Sequence, residues 1–137
     1  MNTKLVVHQL RILFAGVGLT CLLSAGIGIS SMRASAPLKK VWVTITAAAQ
    51  PGEPPSVDVK EKHISKKAEE LCWKLKGGTH FQVNFPGETP FGSNHIFTDT
   101  SYCSGDATVP PDPNKVYKYE VTVDGSKPLD PGVIIDP

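Results

Sequence analysis

No acidic residue precedes Glu53 and no proline precedes Pro37, although the chain holds 13 of the first and 12 of the second in 137 residues. The first 36 residues therefore differ in kind from the rest. Aromatic residues make up only 7% of the chain and cysteines number three. Charge of one sign is missing too. Only Lys4, Arg11 and Arg33 of the 14 basic residues lie in the first 36, which leaves 11 basic against 13 acidic beyond them. Such a balance is no footprint for nucleic acid or for an anionic membrane surface. Several catalytic signatures are absent as well: no Gly-x-Ser-x-Gly elbow, no His-Glu-x-x-His and no phosphate-binding glycine loop occurs. The carboxylates are scattered, and Glu69-Glu70 beside Lys66-Lys67 reads as a solvated turn. No period of 20 to 50 residues recurs, which excludes a repeat architecture.

One long apolar run is present. Ile12 to Ser31 carries no charge, Lys4 and Arg11 precede it, and Ala34-Ser35-Ala36 follows. A basic start, an apolar middle and a small-x-small exit describe a secretory signal. Pro37 would then occupy the first mature position. The run is also long enough to form one apolar helix that spans a bilayer. Residues 1–36 are accordingly expected to be a signal peptide or a membrane anchor, with residues 12–31 as the tether in the second case. Export outside the cytoplasm follows from either, in periplasmic, secreted or outward-facing anchored form. With Cys21 set aside, Cys72 and Cys103 remain as an even pair in an oxidising compartment, and a disulfide between them is expected. Two separate thiols are the alternative.

Residues 37–137 read as one all-β domain. Lys40 to Ala47 alternates Val41, Val43 and Ile45 with Trp42, Thr44 and Thr46, as a first strand does. Val57 to Ser65 has room for a short edge strand, and His95 to Thr98 for another. Lys66 to Leu75 has helix-favouring residues, yet Leu71, Trp73 and Leu75 alternate with polar ones. Gly77-Gly78 separates that run from the equally alternating His80 to Phe85, which predicts a hairpin. Asp99 to Lys115, with Pro110, Pro111 and Pro113, reads as a long irregular excursion. Tyr117, Tyr119, Val121 and Val123 then alternate with polar residues, Asp124-Gly125 supplies a tight reversal, and Gly132 to Ile135 gives a last apolar strand. These form a closing hairpin. Six to eight short strands in such a length predict a β-sandwich, preceded by the N-terminal apolar helix. The predicted inward set is Val41, Val43, Ile45, Leu71, Trp73, Leu75, Phe81, Val83, Phe85, Phe97, Tyr117, Tyr119, Val121, Val123 and Ile135.

Residues 40–137 resemble the cupredoxin-like sandwiches, the relatives of plastocyanin and azurin. The resemblance lies in Leu71-Cys72-Trp73-Lys74, the Phe81–Phe85 strand, Pro90-Phe91, Tyr117-Lys118-Tyr119 and the closing run Asp130 to Pro137. It implies a Greek-key sandwich. A blue-copper centre needs two imidazoles and a thiolate. In the family, the thiolate leaves the strand that here carries Val121, and a His and usually a Met follow. No Cys, His or Met follows Cys103. His95 resembles the family's first His in place only. The resemblance thus implies an exported member without the type 1 copper ligands and with no cofactor. His63, His80 and His95 are the remaining metal candidates, though none stands at chelating spacing to another His. The expected function is that of a non-catalytic binding or structural module for an envelope protein or small ligand. The alternative is a metal-handling or redox protein using those histidines or a labile Cys72–Cys103 bond.

Overall fold

The computed structural model describes residues 36–137. The apolar run Ile12–Ser31, and with it the expected signal or anchor helix, lies outside the described residues. Within them the chain is all β, with no helix, and forms nine strands: β1 (Lys39–Thr46), β2 (Ser56–Val57), β3 (Glu61–Ser65), β4 (Glu69–Lys76), β5 (Phe81–Asn84), β6 (Ile96–Thr98), β7 (Asp112–Lys118), β8 (Glu120–Val123) and β9 (Gly132–Asp136). The helix propensity of Lys66–Leu75 yields to burial, because only a strand puts Leu71 and Trp73 on one inward face.

The strands join in three hydrogen-bonded groups, β2-β1-β4, β3-β9-β7 and β6-β5-β8. Two pairings are parallel. β1 runs beside β4 from Lys39↔Glu69 to Thr46↔Lys76, and β3 runs beside β9 from Glu61↔Gly132 to Ser65↔Asp136. Parallel neighbours need a crossover, so the chain passes between layers rather than turning back at each loop. β9 lies between β3 and β7 and is buried from Gly132 to Ile135, which explains its unbroken apolar run. Around it packs a sandwich-like core. Its centre is aromatic: Trp73 stacks on Phe97 at 4.8 Å between centroids, Phe85 lies 5.2 Å from Tyr119, and Phe91 meets both Phe85 and Phe97 edge-on. Of the predicted inward set, Val41 and Leu75 are only partly buried. Ile64, Phe91, Ala107, Val133 and Ile134 join the core from segments that show no clear alternation.

The Gly77-Gly78 hairpin is not formed. Both glycines take positive φ, 74° and 78°, but β4 pairs with β1 while β5 pairs with β6 and β8. The glycines make a corner at which the chain leaves one sheet for another. Gly78 is required there by space as well as by φ, since a Cβ would lie 2.7 Å from Val123 Cγ1 and 2.9 Å from Asp124 Oδ2. The closing hairpin is present in one register, with Tyr117↔Val133, Lys118↔Gly132 and Val121↔Leu129 paired. It turns over Asp124 (φ 49°) and Gly125 (φ 76°) and is divided at Tyr119. Below that residue β7 pairs with β9, and above it β8 pairs with β5. The irregular excursion is shorter than expected, because β7 already begins at Asp112 and bulges before Val116.

Candidate functional site

Cys72 and Cys103 are joined in a disulfide. They are direct cross-strand neighbours, with Cα atoms 4.1 Å apart. Trp73 N–H donates to Tyr102 O at 2.9 Å and Ser104 N–H to Leu71 O at 2.8 Å, which makes the cysteines a non-hydrogen-bonded pair, the closer of the two antiparallel kinds. Segment 102–104 therefore lies along the edge of β4 opposite β1. Ser104 Oγ accepts the Leu71 N–H at 3.0 Å and donates to Gly105 O, fixing this added strand.

That placement creates a feature on the outer face of the sheet. Trp42 from β1 and Tyr102 from the added strand remain 38% and 40% exposed. Their rings lie 6.0 Å apart with planes inclined by 21°, and Lys40 Nζ sits 5.8 Å from the Tyr102 centroid. A groove of about 280 Å³ opens beside them, lined by Trp42, Tyr102, Leu75, Phe81, Thr79 and Asp99 among others. At its rim His80 Nδ1 meets Asp99 Oδ2 at 3.3 Å. Among the described residues the edge of β1 next to Trp42 is also open. Lys39 N–H donates to Ala68 O and Ala47 N–H to Lys76 O, so the odd residues bond towards β4 and the even ones point away. Thr44 is held by Asp58, whose carboxylate accepts its N–H at 3.0 Å and whose N–H donates back to its carbonyl at 3.1 Å. Thr46 pairs with Ser56. Among the described residues no strand covers the backbone groups of Lys40 and Trp42.

The three candidate histidines occupy separate settings. His63 on β3 pairs with Asp136 at 3.1 Å, His80 pairs with Asp99, and His95 Nδ1 lies 2.9 Å from the Phe85 carbonyl. A carbonyl only accepts, so that nitrogen carries the proton. Among the described residues, none of the three belongs to a cluster of three ligating groups; the cluster that does occur is Glu70, Cys72 and Cys103. Nor do the residues present fit a trigonal copper set of two imidazoles and a thiolate. Val121 is wholly buried against Val83, and both sulfurs beyond residue 36 are bonded to each other.

A second hollow, about 570 Å³, holds His95, Glu88, Lys115 and Tyr117. Lys115 forms an ion pair with Glu88. The lysine holds the Glu88 carboxyl below its usual range and is itself raised by it, so the hollow offers no uncompensated charge. The sequence reading missed the Trp42–Tyr102 pair because Tyr102 falls in the irregular excursion. The available signal was Trp42 itself, a large apolar ring on the polar face of an alternating strand.

No family model, no curated protein and no solved structure matches the chain.

Proposed function

We propose that residues 37–137 form an exported, non-catalytic binding module of cupredoxin-like Greek-key architecture, which docks an extended segment of an envelope protein along β1. The observation that carries this reading is the aligned, exposed Trp42–Tyr102 pair beside an open strand edge. Trp and Tyr are the residues that most often anchor protein interfaces, because each brings a large rigid apolar area with a polar tip. An open edge supplies main-chain donors and acceptors in register, and the pocket next to it selects the incoming side chain. Lys39 and Lys40 on this edge are exposed and discourage indiscriminate pairing between copies, while leaving room for a complementary partner.

The test is capture from a native envelope extract on the immobilised protein, compared with the double variant Trp42→Ala, Tyr102→Ala and with Lys40→Pro. The proline removes an N–H that faces away from β4, which an edge strand tolerates. A partner retained by the parent and lost by both variants, with circular dichroism unchanged, supports the reading. Equal retention by all three rejects it.

A further inference from the structure

We propose that the Cys72–Cys103 bond masks a metal site: once it is reduced, Cys72, Cys103 and Glu70 bind a zinc-class divalent cation. This does not depend on the docking of a partner at β1. Three features of the same spot point to it. First, the potential ligand atoms of Glu70, Cys72 and Cys103 all lie within 4.8 Å of one another. Glu70 and Cys72 are two residues apart on β4 and so share a face, and Cys103 stands directly opposite Cys72. Second, a hollow of about 310 Å³, lined by Lys40, Glu70, Ser101, Tyr102 and Cys103, opens onto the group. Third, the sulfurs differ in access: Cys72 is fully buried, whereas Cys103 is half-buried and lines that hollow.

The redox step follows from this difference. A dithiol reductant attacks Cys103 Sγ as a thiolate, the S–S bond breaks, and Cys72 leaves as a thiolate. The second thiol of the reductant then resolves the mixed disulfide. Two electrons pass to the protein, the reductant ends as a cyclic disulfide, and two protons end on the cysteines. Zn²⁺ then displaces those protons and is held by two thiolates and one carboxylate. With Zn–S bonds of about 2.3 Å at tetrahedral angles the sulfurs need to stand roughly 3.7 Å apart, which a cross-strand pair reaches by side-chain rotation. Two thiolates select zinc over magnesium or calcium. Three ligands leave a fourth position facing the hollow. Lys40, at its wall, offsets part of the net negative charge of the ligand set.

The experiment uses the full chain in a Cys21→Ser background, reduced with a phosphine that is then removed under argon. Zn²⁺ is titrated by calorimetry in buffers of different ionisation enthalpy, and Co²⁺ by visible absorption, before and after reduction. Near-ultraviolet circular dichroism follows the fold. One Zn²⁺ per chain is expected after reduction only, with close to two protons released, a thiolate-to-cobalt charge-transfer band and a retained near-ultraviolet spectrum. Glu70→Gln is expected to weaken zinc binding by about tenfold or more, and Cys103→Ser to abolish the cobalt band. Equal binding by the oxidised chain, unchanged affinity in Glu70→Gln, or loss of the near-ultraviolet spectrum on reduction would each overturn the proposal.

Discussion

Tyr119 carries a hydroxyl into the centre of the core, where neither it nor the nearby Trp73 Nε1 has a hydrogen-bond partner among the described residues. The indole lies edge-on at 5.8 Å between centroids. Burial pushes the phenol up to about 12. An unpaired buried hydroxyl costs its full desolvation, so removing it should be cheap. Tyr119→Phe is expected to change stability by less than about 1 kcal/mol, in the stabilising direction, in denaturant melts; a larger loss would show that the hydroxyl is bonded in solution. Asp124 presents the opposite case. Its carboxylate accepts the Thr79 and His80 N–H groups at 2.8 Å each, and these bonds hold it below its ordinary carboxylate value. A depressed folded value means stability that is present above the unfolded value and lost as pH falls through the folded one. Asp124→Asn should therefore lower the melting temperature at neutral pH and flatten its decline below about pH 4. Parallel acid profiles for parent and variant would contradict this.

Strands were legible as elements and much less so as partners. Period-two alternation placed β1, β4, β5 and the closing hairpin, because each shows one face to the core. Alternation is silent about which strand lies alongside, and a corner satisfies the same pattern as a hairpin. Gly77-Gly78 was misread for that reason, since positive φ is needed in both. The division of the last hairpin at Tyr119 is likewise invisible locally, for Tyr117, Tyr119 and Val121 continue one alternation while their hydrogen bonds pass to different sheets. Of the candidate site, the Cys72–Cys103 pair was readable from cysteine arithmetic. The groove was not, because Tyr102 reaches Trp42 only after that bond lays segment 102–104 against β4. The corner itself can be tested. Gly78→Ala adds a Cβ at φ +78° that meets Val123 and Asp124 inside contact distance. It should cost roughly 2 kcal/mol or more, while Gly52→Ala, where φ is also positive but nothing lies within 4 Å, should cost less. Equal losses at the two positions would mean that backbone strain alone accounts for Gly78.

At the scale of the molecule, Ser35–Pro137 is a self-contained unit by its internal contacts. All the core residues from Val43 to Ile135, the disulfide and each of the nine described strands fall inside it. Among the described residues every core member lies beyond residue 36, and the first 36 residues are expected from their composition to be a targeting segment. A chain beginning at Pro37 should consequently fold alone, with a β-type far-ultraviolet spectrum and a single cooperative melt. For about 100 residues a fully buried core implies a heat-capacity increase on unfolding of about 1.2–1.5 kcal/mol/K. The disulfide closes a loop of 31 positions, worth about 3–4 kcal/mol in the chain-entropy treatment. Reduction should thus lower the melting temperature by more than about 10 °C, at about 4–8 °C per kcal/mol for a domain this size. Calorimetry separates the outcomes. A cooperative transition with the full heat-capacity change confirms an autonomous domain. A broad transition with a much smaller change, under conditions in which the longer chain melts sharply, would show that the N-terminal residues complete the core after all.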